Sequence, residues 1–151
     1  AEKLTRDQYD PCCCTPLFDA IGKTVKTLKK KIADVEDAGV LVTIITDGYE
    51  NSSKEWDAKG IAKLIDECKE DGWMFSFIGA GEDVVKVATT ISITNTMVWE
   101  NTSEGTKKMF DEENDARVRF CMRHDSLIDP CMSLEEKKMT RKKLSKEYYK
   151  K

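Results

Sequence analysis

The amino-acid sequence predicts an α/β fold: an open, doubly wound parallel sheet with helices on both of its faces. Three apolar segments rich in β-branched or aromatic residues alternate with segments whose apolar residues recur every three or four positions. Strands that are joined through helices need crossover connections, which place neighbouring strands parallel. The 151 residues are enough for one domain with one hydrophobic core.

The first helix is predicted over residues 15–35, where apolar side chains recur at helical spacing. Thr15 is expected to be the N-cap and Pro16 the first helical residue, which needs no N–H donor. Residues 40–46 are nearly all apolar and β-branched, which predicts a strand buried on both faces. This most apolar strand is expected at the sheet centre. Because no earlier segment could pair with it, we expect the fold to be truncated on its N-terminal side.

The second helix is expected to begin with a capping box. Ser52 and Glu55 have the required spacing, and Gly72 is expected to end the helix. The elements predicted after it are a strand over residues 73–78, a short helix over 83–88, a strand over 96–100 and a helix that starts near Ser103.

The C-terminal part is predicted to be electrostatically distinct. We divide the chain into an α/β domain over residues 1–120 and a charged, basic tail or helix over 121–151. Residues 133–151 contain eight Lys or Arg against three Glu, so the rest carries about −8 of the total charge of −3. Ser133 and Glu136 predict a capping box for a basic helix that reaches Tyr149. Such a run is expected to be a solvated helix face rather than a nucleic-acid site.

Composition excludes several classes. No run of about 18 apolar residues is present and the first ten residues are polar, so neither a membrane span nor a signal peptide is predicted. A cytoplasmic location with reduced thiols is therefore expected for the six cysteines. Cys121, His124 and Cys131 are too few for a persuasive zinc site. The cysteines are Cys12, Cys13, Cys14, Cys68, Cys121 and Cys131.

Asp47 is the candidate site residue that the fold class itself indicates. In open parallel sheets, ligands bind beyond the carboxyl ends of the strands. Asp47 directly follows the strand predicted over residues 40–46, and Gly48 lets the backbone turn away from it. Its carboxylate is thus placed to meet a cation or a polar ligand. The alternative is an Asx-turn residue that satisfies nearby amides.

Three segments carry a resemblance to a known family: Cys14-Thr-Pro-Leu-Phe-Asp-Ala-Ile-Gly22, Ile44-Ile-Thr-Asp-Gly-Tyr-Glu-Asn51 and Gly72-Trp-Met-Phe-Ser-Phe-Ile-Gly-Ala80. Together they resemble the von Willebrand factor A family, in particular its small stand-alone bacterial members, from about Tyr9 to about Phe120. The resemblance implies a metal-ion-dependent adhesion site that holds Mg²⁺, with Thr15 and Asp47 as metal ligands. The family's D-x-S-x-S loop does not occur in these 151 residues.

The function that the resemblance implies is recognition of a protein partner rather than catalysis. A carboxylate of the partner would complete the Mg²⁺ shell, and the module would need strands from its N-terminal side. The uncovered edge of the strand that runs from Val40 to Thr46 also predicts self-association. The alternative is a small redox or other enzyme that uses the cysteines at positions 12–14 on an α/β scaffold.

Overall fold

A computed structural model of the protein describes residues 14–81 and 83–150. Within these ranges, helices and strands alternate and the three strands form one parallel sheet in the order β1-β2-β3. This confirms the predicted α/β class and the parallel sheet. The elements are α1 (Leu17–Lys31), β1 (Leu41–Thr46), α2 (Ala58–Glu70), β2 (Met74–Ala80), α3 (Val84–Thr90), β3 (Asn95–Trp99), α4 (Ser103–Leu127) and α5 (Leu134–Ser145).

The central strand of the described sheet is β2, so the prediction that residues 40–46 lie at the centre is wrong. All but the last residue of β2 are buried, because the strand has neighbours on both sides and helices on both faces. In β1, by contrast, only Ile44 is fully buried and Ile45 is 44% exposed. The apolar run of β1 therefore indicated a strand correctly but overestimated its burial.

Two hydrophobic clusters cover opposite faces of the sheet, because successive strand side chains point to opposite sides. One cluster joins Phe75 and Phe77 of β2 to apolar residues of α1, α2 and α3. The other joins Met74 of β2 to Ala116 of α4 and to Tyr148, which follows α5. Helices therefore pack on both faces of the sheet. No helix in the described residues is long and apolar enough to cross a membrane.

Both predicted starts of the first two helices are wrong in detail. The N-cap position of α1 is Pro16, which has no side chain that can cap, and Thr15 precedes it. Helix α2 begins at Ala58, where the Asp57 carboxylate accepts a hydrogen bond from the amide of Gly60 at 2.7 Å. The Ser52 amide donates a hydrogen bond to the Glu50 carboxylate rather than to Glu55, so Ser52 and Glu55 form no capping box. Gly72, with φ of +83°, follows α2 as predicted.

The C-terminal segment packs against the α/β part. Helix α4 runs through position 120, where the sequence suggested a division. The capping box of Ser133 and Glu136 is confirmed at the start of α5. Helix α5 is not a solvated basic face, since Arg141 has 4% of its side chain exposed and contacts the Asp37 carboxylate. Further ion pairs join Lys137 to Asp37, Lys138 to Asp71 and Lys142 to Glu70. The basic helix thus neutralises acidic residues of the same chain.

His124 lies within α4. Its Nε2 accepts a hydrogen bond from Nε of Arg141 at 3.1 Å, and its ring is near that of Phe120. A histidine that uses Nε2 in this way is not presented to a metal through that atom.

A buried carboxylate fixes the chain end to the sheet. Glu113 of α4 is 3% exposed and accepts hydrogen bonds from the hydroxyls of Thr43 at 2.7 Å, Tyr148 at 2.8 Å and Tyr149 at 2.7 Å. Burial, and then the bond to Glu113, raise the pKa of both tyrosines well above the ordinary value. Because β1, α4 and the turn after α5 all meet here, Glu113 connects distant parts of the chain.

Candidate functional site

The structure brings Thr15 and the loop that contains Asp47 together at the carboxyl end of β1. A methyl group built on Gly48 would lie 2.8 Å from Oγ1 of Thr15, so the threonine hydroxyl is directly beside this glycine. Thr15 is half-buried and Asp47 is exposed. The Asp47 side chain is in no hydrogen bond or ion pair with the rest of the described chain. Its carboxylate is accordingly open to solvent and to a ligand.

The turn after β1 is held by Thr46 rather than by Asp47. Oγ1 of Thr46 accepts a hydrogen bond from the Gly48 amide at 3.2 Å and donates to the Gly48 carbonyl at 2.9 Å. The Asp47 side chain does not form the alternative Asx turn here, because the Gly48 amide donates to Thr46 instead. A compact turn between a strand and a loop also needs a small residue at position 48, because the Thr15 hydroxyl occupies the space beside it.

Two reciprocal hydrogen bonds connect the backbone of Thr15 to the same loop. The Thr15 amide donates to Oδ1 of Asn51 at 2.7 Å, and the Asn51 amide donates to the Thr15 carbonyl at 3.2 Å. The position of the Thr15 side chain is therefore set by the loop after β1 as well as by α1.

Glu50 anchors this loop to the first turn of α1. Its carboxylate accepts hydrogen bonds from the amides of Phe18 at 2.8 Å, Ser52 at 2.8 Å and Ser53 at 2.7 Å, and from the Ser53 hydroxyl at 2.6 Å. Partial burial alone would raise its pKa, but these donors outweigh burial and lower the pKa of Glu50 to about 2. Glu50 therefore remains ionised under all ordinary conditions.

Asp19 makes the reciprocal connection from α1 back to the loop. Its carboxylate accepts hydrogen bonds from the backbone amides of Lys54 at 2.8 Å, Glu55 at 3.0 Å and Trp56 at 2.9 Å. The amide of Lys54 contributes most to a pKa of Asp19 that is lower than usual; partial burial opposes this shift, and the amides of Glu55 and Trp56 add to it. We call the pair of carboxylates, Glu50 and Asp19, the loop clamp.

The loop clamp was missed in the sequence. Neither Asp19 nor Glu50 is predicted as a site residue from the sequence. The available signal is the polar run from Glu50 to Ser53, which places a carboxylate, an amide and two hydroxyls one residue after the Asp47-Gly48 pair. Such side chains bond to nearby backbone groups and compete with helix formation. This is why α2 begins several residues later than the apolar pattern suggested.

An exposed aromatic and an exposed aliphatic side chain accompany Asp47. Tyr49 is 62% exposed, and Ile45 projects from β1 with 44% of its surface exposed. A small cleft at the carboxyl ends of β1 and β2 is lined by residues that include Asp47, Tyr49 and Gly79. Aromatic side chains contribute strongly to protein recognition because they bury a large area at small entropic cost. The edge around Asp47 thus combines a charge with apolar surface.

The donors present at this edge fit only part of a Mg²⁺ site. Carboxylate and hydroxyl oxygens are the hard ligands that Mg²⁺ requires, and this ion commonly keeps several waters with one or two carboxylates. Asp47 and Thr15 supply one of each type. Within residues 14–81 and 83–150, no group of three or more His, Cys, Asp or Glu is arranged to hold a metal. Any cation here would depend on water and on a partner for the remaining ligands.

The cysteines offer less organised chemistry. Cys12 and Cys13 lie outside the described residues, and Cys14 is exposed. Cys68 is buried, and burial raises the pKa of its thiol, which makes it a poor nucleophile. Cys121 and Cys131 are exposed on the C-terminal part of the chain. The redox alternative therefore stays a prediction about residues 12–14.

The chain matches no protein-family model, and no curated protein or solved structure is significantly similar to it. The likeness to the von Willebrand factor A family therefore depends on the three sequence segments alone.

Proposed function

We propose that this chain is a metal-assisted protein-binding module of von Willebrand A type, and not an enzyme. The observation that supports this best is the position of the Thr15 hydroxyl beside Gly48, next to an exposed Asp47 at the carboxyl end of a parallel strand. These are the two positions to which the resemblance assigns metal ligands. A doubly wound sheet of the family type and a cytoplasmic location are part of the same proposal.

In the proposed site, Asp47 and Thr15 would hold Mg²⁺, and water with a carboxylate of the protein partner would complete the shell. The bound ion would supply electrostatic attraction for that carboxylate. Tyr49 and Ile45 would add apolar contact area around it. Recognition of this kind needs no bond to be broken, which is why a binding module agrees with the donors better than a catalytic centre does.

Titration calorimetry with MgCl₂ tests the metal half of the proposal. We expect saturable binding with Kd of about 1 mM or tighter, lost in Asp47→Ala and weakened in Thr15→Ala. Asp34→Ala is a matched control, because Asp34 is an exposed aspartate that lies just after α1, away from the loop of Asp47. If the Asp47→Ala variant binds Mg²⁺ as the unchanged chain does, the site is not at Asp47 and the proposal fails.

The edge of β1 supports the proposed self-association. Among the described strands, β1 has a partner on one side only, and an uncovered edge can pair with a second chain. Sedimentation velocity at increasing concentration should show dimers or larger species. Replacing Ile45 with Lys would place a charge at the exposed position of this strand and should reduce them; a monomer throughout would contradict this part.

A further inference from the structure

A groove runs along the other open edge of the described sheet, beside β3. Strand β3 pairs with β2 on one side only. In an edge strand, alternate residues direct their N–H and C=O groups away from the sheet, where they can pair with another extended chain. Val98, near the end of β3, is 55% exposed. No described strand pairs with the outer side of β3 where the groove lies.

Two adjoining cavities form this groove, which we call the β3–α4 groove. Their volumes are about 400 Å³ and about 240 Å³, and both are lined by Met97 of β3 and Glu112 of α4. Because they share these residues, they are consecutive parts of one depression between an open strand edge and a helix. Domains that bind peptides by strand addition use the same combination of a main-chain edge and side-chain pockets.

The charges of the groove favour a basic occupant. Four acidic side chains line it against two basic ones, and none of the six is in an ion pair with another described residue. Complementary charge across an interface guides the correct partner and disfavours others. The acidic residues are Glu100, Glu104, Glu112 and Asp115, and the basic residues are Lys108 and Arg119.

Each cavity also has a buried donor without an acceptor. Nε1 of Trp99, in the wall of the larger cavity, and Nε of Arg119, in the wall of the smaller one, have no hydrogen-bond partner in the described part of the chain. Buried donors in folded proteins are normally satisfied. A peptide carbonyl in the groove would reach these donors only after the Trp99 and Arg119 side chains turned toward it.

We propose that the β3–α4 groove binds an extended peptide segment of another protein, with alternating basic and apolar residues, as a fourth strand beside β3. The five residues of β3 (Asn95–Trp99) set the length of the paired segment. The main chain of the peptide pairs with β3. Because successive side chains of a strand point to opposite faces of the sheet, its basic side chains lie on the α4 face beside Met97, Trp99 and the acidic wall, and its apolar side chains lie on the other face beside Val98. This proposal uses different residues from the Mg²⁺ site and does not depend on it.

Fluorescence anisotropy with a labelled peptide of about eight residues, alternating Lys and Val, tests the proposal. We expect saturable binding, and backbone amide signals of residues 95–99 should shift in NMR spectra of the complex. Glu112→Lys should weaken binding about fivefold, as expected for one exposed charge that is reversed. Asp111→Lys is the matched control, because Asp111 is exposed on the same helix and lies outside the groove; it should change binding less than twofold.

Two further peptides separate strand addition from simple charge attraction. A peptide with the same sequence but N-methylated at alternate amides cannot pair on one side and should bind at least about tenfold more weakly. An alternating Glu and Val peptide should not bind. The proposal is overturned if the Lys and Val peptide does not bind at about 1 mM, if N-methylation or Glu112→Lys has no effect, or if the shifted amides lie outside β3.

Discussion

Replacement of Glu50 by Gln tests whether the loop clamp sets the stability of the candidate site. Glutamine keeps the size and one carbonyl oxygen, but it removes the charge to which three amides and one hydroxyl donate. The fall in pKa from 4.5 to about 2 corresponds to about 3 kcal/mol at roughly 1.4 kcal/mol per pKa unit. Since the side chain is partly exposed, solvent screening reduces this value, and we expect a loss of about 2 kcal/mol.

The loss of stability in Glu50→Gln should be smaller at low pH than at pH 7. A carboxyl group whose pKa is lower in the folded state than in the unfolded chain stabilises the fold fully above about pH 4.5, and this contribution disappears as pH falls toward 2. Roughly two fifths of the difference between the unchanged chain and Glu50→Gln should therefore remain near pH 3. Urea unfolding at pH 7 and near pH 3, followed by circular dichroism, measures both values.

The control is Glu67→Gln, since Glu67 is an exposed residue of α2 with no hydrogen bond to another described residue. It should change the free energy of unfolding by less than about 0.5 kcal/mol at either pH. The reasoning is refuted if Glu50→Gln behaves like Glu67→Gln at pH 7, or if its cost is the same near pH 3 as at pH 7.

Three other substitutions test separate contacts by urea unfolding. Gly48→Ala should cost about 1–2 kcal/mol because the new methyl group would lie 2.8 Å from Oγ1 of Thr15. The cost should be smaller when Thr15 is also replaced by Ala. Equal costs in the two backgrounds would contradict the contact. Glu113→Leu should cost about 3 kcal/mol or more, since it leaves three buried or half-buried hydroxyls without their acceptor; a cost under about 1 kcal/mol would contradict that network. Gly72→Ala should cost about 1 kcal/mol because φ is +83° there. An unchanged midpoint of the urea unfolding curve would contradict a positive φ at this position.

The order and type of the elements could be predicted because the signals are local. Apolar spacing indicated α1 and α2, and β-branched or aromatic runs indicated β1 and β2. The position of β1 in the sheet could not be predicted this way. Its hydrophobicity reflects contact with helices on its faces, whereas strand order depends on which segments pair at its sides. Hydrophobicity alone does not distinguish a strand covered by helices from a strand that also has neighbours on both sides.

The candidate site could be predicted only in part, for a related reason. The sequence indicated Asp47 because it follows a strand, and Thr15 because of the family resemblance. Glu50 and Asp19 bind backbone amides that lie two or more residues away, and in four cases more than 30 residues away. Backbone donors have no sequence signature, so a carboxylate that organises them looks like any other surface acid. The same applies to α5, whose partners Asp37, Glu70 and Asp71 are distant in sequence.

At this edge, the residues that hold the loop are different from Asp47, and this makes a substitution of Asp47 informative. Thr46 holds the turn, Asn51 holds the backbone of Thr15, and the loop clamp joins α1 to the loop. Asp47 is exposed and takes no part in these bonds, so Asp47→Ala removes a charge without removing a support of the fold. A loss of partner or Mg²⁺ binding in this variant can therefore be assigned to recognition, whereas the same loss in Glu50→Gln would reflect a displaced loop. Comparison of the two variants separates a binding residue from the residues that position it.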